Sequence, residues 1–144
     1  MSRCRPKNST FGTNKLVRLL LDSHVLLWWL LSDAAISNAA RTAIADEGNE
    51  TFVSAASAWE ISIKYRLGKL PTASQLMVDF ERVILDEGFV GMPIALHDGE
   101  RAGGLPLLHK DPFDRMLIAQ ALTESLTLIS NEQLFDRYGV SRLW

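Results

Sequence analysis

Five carboxylates carry the chemistry available to this chain: Asp22, Glu60, Asp111, Asp114 and Glu132. Hard divalent cations such as Mg²⁺ or Mn²⁺ take oxygen ligands of this kind. An ion so held activates a water and offsets the charge of a phosphodiester during in-line displacement. Each acid also has a structural use. Asp22 follows an apolar run and can close a turn there. Ser57-Ala58-Trp59-Glu60 matches the S-x-x-E capping box, in which Glu60 only satisfies backbone N–H groups. Asp111 precedes Pro112, the pattern of an N-cap followed by Pro at the first helical position. Asp114 would then complement the helix dipole, and Glu132 would be an exposed first-turn acid. His109 reads as a surface histidine rather than a catalytic one.

The carboxylates act together only if the elements around them converge. Val17–Leu21 is almost wholly apolar, as in a strand covered on both faces. Helices are expected over His24–Leu31, from a Ser37 cap through Ala45 to Gly48, and over Ala55–Leu67 with Gly68 as the stop. Thr72 opens another, whose Leu76, Met77, Phe80, Val83 and Ile84 share a face, ending at Gly88. A short helix over His97–Ala102 precedes Gly103-Gly104, and a longer one runs from Asp111-Pro112 to Glu124. Further strands are Thr51–Ser54, Phe89–Ile94, Leu126–Ser130 and Val140–Trp144, with a short helix over Glu132–Tyr138. This βα alternation predicts a parallel sheet with helices on both faces. In such sheets ligands bind beyond the carboxyl ends of the strands, where Asp22, Glu60, Asp114 and Glu132 would meet.

Composition excludes several classes. The 144 residues suit one domain with its own core, and one cysteine, Cys4, excludes a disulfide framework or a Cys-rich zinc site. Val25–Leu31 is far short of the ~20 residues that span a bilayer. Asp22 and His24 interrupt the apolar region that a signal peptide would need. A cytoplasmic protein with no membrane contact is expected. Residues 1–16 carry four basic residues and no acid; removing their +4 from the chain's −2 leaves −6 on residues 17–144. That first segment is read as a flexible basic tail or an expression remnant. An acidic body suits a nuclease only where the acids gather around metal ions, since non-specific nucleic-acid binders are basic. Neither G-x-G-x-x-G, a P-loop nor G-x-S-x-G occurs, so a doubly wound nucleotide-binding domain and a serine nucleophile both lack a motif. Trp28 and Trp29 point about 100° apart on a helix, so one is expected in the core and the other at an interface. Trp59 and Met116 are expected in the core.

Four segments in order, "LLLDSHVLLWWL", "FVSAASAWEISIKYRLGKL", "LPLLHKDPFDRMLIAQA" and "LISNEQLFDRYGVSRLW", resemble a PIN domain of the VapC toxin type. The resemblance covers Val17–Trp144. It implies a three-layer α/β/α sandwich around a central, mainly parallel sheet. It further implies a Mg²⁺- or Mn²⁺-dependent endoribonuclease, the toxin of a type II toxin–antitoxin pair, acting on RNA phosphodiesters through a metal-activated water. The family's acids match Asp22, Glu60 and Asp114, with Glu132 at a fourth position more usually Asp. Ser23 stands where Thr is common. Ser23, Asp111 and Asn131 are candidates to steady the ligands, and Lys64, Arg66, Lys110 and Arg115 to contact RNA, with Lys69 beside them. A homodimer and a small antitoxin lying over the groove complete the implied assembly. The alternative is a PIN fold kept as a non-catalytic RNA- or protein-binding module.

Overall fold

A run of three buried leucines sets the middle of the sheet. β1 (Arg18–Leu21) carries Leu19 and Leu21 into one core and Leu20 into another, because successive strand side chains point to opposite faces. The structure is a computed structural model that describes residues 16–144; the expected tail, apart from Leu16, and Cys4 lie outside the described residues.

After β1 come α1 (Ser23–Leu30) and α2 (Asn38–Ala45), then β2 (Glu50–Ser54) and α3 (Ala55–Arg66). A 3₁₀ turn (Pro71–Ala73) leads to α4 (Ser74–Val78), α5 (Phe80–Asp86) and β3 (Val90–Met92). The chain continues through α6 (Leu96–Gly104), α7 (Pro112–Glu124), β4 (Thr127–Ile129), a 3₁₀ segment (Gln133–Tyr138) and β5 (Ser141–Leu143). The strands form one all-parallel sheet in the order β3-β2-β1-β4-β5. Leu20 pairs with Phe52 on one side and Leu128 on the other.

Leu19, Leu21, Val25, Leu26, Ile44, Ile61 and Ile84 form the core on one face. Leu20, Leu117, Ile118, Leu128 and Phe135 form the core on the opposite face. The result is the expected three-layer α/β/α sandwich. Strand order reverses about β1, with β2 and β4 as its neighbours, so the crevice at its carboxyl end is the natural ligand position. Asp22 stands there.

Several local expectations are corrected. The helix from Thr72 to Gly88 is broken at Asp79, whose backbone leaves the helical region (φ −155°, ψ 83°) and whose side chain accepts from Arg82 N to cap α5. The apolar period survives the break because Leu76, Met77, Phe80, Val83 and Ile84 all pack on the same core. Gly103 and Gly104 lie inside α6 rather than after it. α2 closes at Asp46, not at Gly48. Trp59 is 60% exposed, and Met116 is half-buried. Trp28 and Trp29 do not divide into core and surface. Both are half-buried and pack on opposite flanks of one core, Trp28 against Trp144 (5.7 Å) and Trp29 against Phe89 (6.3 Å).

Candidate active site

Asp22 ends β1 and caps α1, so the turn that terminates the strand also aims the carboxylate. Oδ1 accepts from His24 N at 3.0 Å, and Oδ2 accepts from the Ser130 hydroxyl at 2.7 Å. Burial alone would raise this acid. The hydrogen bonds from His24 and Ser130 outweigh it and hold the carboxyl below the ordinary aspartate range. The His24 imidazole, 3.5 Å from Oδ1, is raised in turn by its bond to Asp22.

Glu60 lies inside α3. The cap of that helix is Ser54, whose side chain accepts from Ala56 N, so the capping box read at Ser57–Glu60 does not form. Glu60 is instead buried, with Oε1 accepting from the Ser23 hydroxyl at 2.7 Å and Oε2 from Lys64 Nζ at 2.6 Å. Ser23 Oγ also sits 3.0 Å from Ser57 Oγ, which ties the start of α1 to α3.

Asp114 occupies the first turn of α7, behind Asp111, whose Oδ1 accepts from Phe113 N and Asp114 N as an N-cap should. Oδ2 of Asp114 is 2.7 Å from His109 Nε2. Burial, followed by the negative charges of Asp22 and Asp111, pushes this carboxyl up to about 7. Two acids 92 positions apart in sequence therefore share one electrostatic environment. Glu132 is different. It is exposed and caps the 3₁₀ segment by accepting from Leu134 N. No hydrogen bond or ion pair joins its carboxylate to Asp22, Glu60 or Asp114 among the described residues. Asn131 beside it is exposed.

Three residues acquire roles that spacing did not disclose. Ser130 bonds Asp22 and also accepts from Glu132 N at 3.0 Å. His109 is not a surface histidine: its side chain is 16% exposed and engaged with Asp114. Arg115, expected at the RNA surface, is buried instead. Its buried guanidinium donates to the carbonyls of Pro106 and His109 through Nη1, and of Ala102, Gly103 and Leu105 through Nη2, at 2.8–3.4 Å. Tyr138 completes this loop, accepting from His109 N and donating to Pro106 O. Arg66, Lys69 and Lys110 are exposed, whereas Lys64 is turned onto Glu60.

The PIN domain family model matches residues 19–140, a span that includes Asp22, Glu60, Asp114 and Glu132. The chain belongs to the PIN domain family. Over 42 residues this PIN domain is 55% identical to Ribonuclease VapC16 of Mycobacterium tuberculosis, a match covering 29% of this chain and 28% of that protein. The chain thus matches little more than a quarter of that relative's length. Its fold is similar to the crystal structure of VapBC2 from Rickettsia felis bound to a DNA fragment from their promoter. The TM-score is 0.64 at 14% identity, over 88% of this chain and 98% of that one.

A divalent cation in this PIN domain would have suitable donors. Asp22, Glu60 and Asp114 offer hard oxygens, and the raised Asp114 carboxyl marks negative charge that a cation would relieve. As they stand, however, no three His, Cys, Asp or Glu side chains are grouped to ligate one ion among the described residues. The fit is therefore one of donor chemistry and charge.

Proposed function

We propose that this PIN domain is a divalent-metal-dependent endoribonuclease, the toxin of a toxin–antitoxin pair. What supports it best is that Asp22 stands at the carboxyl end of β1, where strand order reverses, and that burial and then the charge of Asp22 raise Asp114, although the two acids come from different elements. Carboxylates in mutual repulsion at the ligand end of a parallel sheet suit a cation site better than a structural role. Asp22, Glu60 and Asp114 would hold Mg²⁺ or Mn²⁺, with Glu132 at the rim. When bound, the ion would supply activation of the attacking water and neutralisation of phosphodiester charge.

The protein's own contribution is orientation. Ser130 and His24 N hold Asp22 in one rotamer, Ser23 holds Glu60, and His109 holds Asp114. Rotamers fixed in advance cost nothing to order when substrate arrives. Exposed Lys110 and Arg66 would meet RNA phosphates, and unpaired bases in a loop are the accessible RNA target. An acidic groove also suits a basic segment of a small antitoxin, because an arginine fork matches carboxylates. The neighbouring VapBC2 structure supports a toxin–antitoxin pairing, and a homodimer belongs to the same proposal.

The test is to incubate the purified protein with total RNA and Mg²⁺ or Mn²⁺, with and without chelator. Cleavage that requires the ion is expected. Intact RNA together with no cation binding in a Mn²⁺ titration would favour a non-catalytic binding module instead.

A further inference from the structure

Lys64 lies one helical turn after Glu60 on α3, and its ammonium is 2.6 Å from Glu60 Oε2. This is not an ordinary surface pair. The Glu60 side chain is only 4% exposed, and that of Lys64 34%. Among the described residues, Lys64 is the one lysine or arginine paired with Asp22, Glu60 or Asp114; the ion-pair partners of the other two acids are imidazoles. The negative charges of Asp111 and Asp114 also reach it. Ser23 donates to Oε1 of Glu60 and Lys64 to Oε2, so both carboxylate oxygens are engaged and the only cation on them is Lys64 among the described residues.

We propose that Lys64 is the site's resident counter-ion, which a divalent cation must displace from Glu60 in order to bind. The inference rests on the reading that these carboxylates hold such a cation. An ammonium and a divalent ion on one carboxylate oxygen repel each other strongly at a few ångströms, even with the screening typical of proteins, so binding the ion favours release of the ammonium. In the cation-free protein Lys64 spares the fold a buried, uncompensated carboxylate. On loading, its four-carbon stem swings the ammonium to the solvent it already partly meets. Cation affinity in this protein is therefore the outcome of an exchange, set in part by Lys64.

The experiment compares wild type, Lys64→Gln and Lys64→Arg by titration with Mn²⁺, counting free ion by electron paramagnetic resonance, and by thermal unfolding with and without Mn²⁺. Lys64→Gln should bind Mn²⁺ at least about tenfold more tightly. Its cation-free form should melt lower than wild type, and Mn²⁺ should raise its midpoint by more. Lys64→Arg should keep the wild-type affinity. In ¹⁵N-lysine-labelled wild type, which needs no variant to fold, Mg²⁺ should move the Lys64 ammonium resonance to the position of a solvated lysine. Equal or weaker Mn²⁺ binding by Lys64→Gln, or a Lys64 resonance unmoved at saturating Mg²⁺, would overturn the counter-ion role alone. A wild type that binds no divalent ion would overturn this role and the carboxylate-site reading together.

Discussion

The Ser130 hydroxyl donates to Asp22 Oδ2 at 2.7 Å, across 108 positions of sequence, and locks the carboxyl end of β4 to that of β1. The link sits beside a backbone bond from Asp22 N to Ile129 O, so both the main chain and the side chain of Asp22 are held by β4. Ser130→Ala removes the hydroxyl that holds this carboxylate and leaves Glu132 N without its acceptor. It should cost about 1–3 kcal/mol by urea denaturation. RNA cleavage should fall, but less than in Asp22→Asn, because the acid itself remains.

Asp22 and Asp114 should respond oppositely to neutralisation. The fold favours the charged form of Asp22, so Asp22→Asn should destabilise by about 1–3 kcal/mol, since an amide cannot accept at both positions. The fold disfavours the charged form of Asp114, so Asp114→Asn should leave the cation-free protein at least as stable as wild type. The pH dependence follows. A carboxyl at about 7 when folded, against 3.8 in the free residue, favours the fold while protonated and loses that contribution as pH rises between those values. In chelator-treated buffer the wild type should lose stability from about pH 4 to about pH 7 relative to Asp114→Asn. Urea midpoints across that window measure the difference.

Arg115→Lys separates a structural clamp from an RNA contact. Lysine lacks the planar fork that reaches five carbonyls at once. The variant should lose about 3 kcal/mol or more, with buried carbonyls left unpaired. Unchanged thermal stability with weakened RNA binding would return Arg115 to the RNA surface.

Glu60→Gln and Ser54→Ala distinguish the ligand from the cap. Ser54→Ala should cost about 1 kcal/mol of stability, because Ser54 is the residue that caps α3. Glu60→Gln should change stability by no more than that while removing divalent-ion affinity. Calorimetric titration with Mn²⁺ and thermal unfolding on the same preparations read both effects.

What the sequence discloses here is what local signals carry. The apolar run Val17–Leu21 and the Asp111-Pro112 start of α7 are patterns a few residues long, and they place β1, Asp22 at its end and α7. Asp79 escaped because the apolar stripe runs through the break, so periodicity did not register the non-helical residue at its middle. Ser54 and Ser57 both stand near the start of α3. Choosing the cap between them requires knowing where β2 ends, and that is set by pairing with β1 and β3. Ser130, His109 and Arg115 lay further out of reach. Their partners are a strand end 108 residues away, an acid whose helix must first be oriented, and a row of carbonyls that exists only in the folded loop.

If Asp22, Glu60 and Asp114 cleave RNA with a divalent ion, Asp114→Asn is the most direct test. Burial and the charges of Asp22 and Asp111 disfavour the ionised Asp114, so the substitution is expected to spare the fold, and the thermal midpoint separates lost activity from lost structure. The measurement is the cleavage rate of one loop-containing RNA by wild type and Asp114→Asn at saturating Mn²⁺, with the thermal midpoint of each recorded on the same sample. A rate lowered by about a hundredfold or more, at an undiminished midpoint, is the predicted result. Ion-dependent cleavage at the wild-type rate by a folded Asp114→Asn protein would contradict the account.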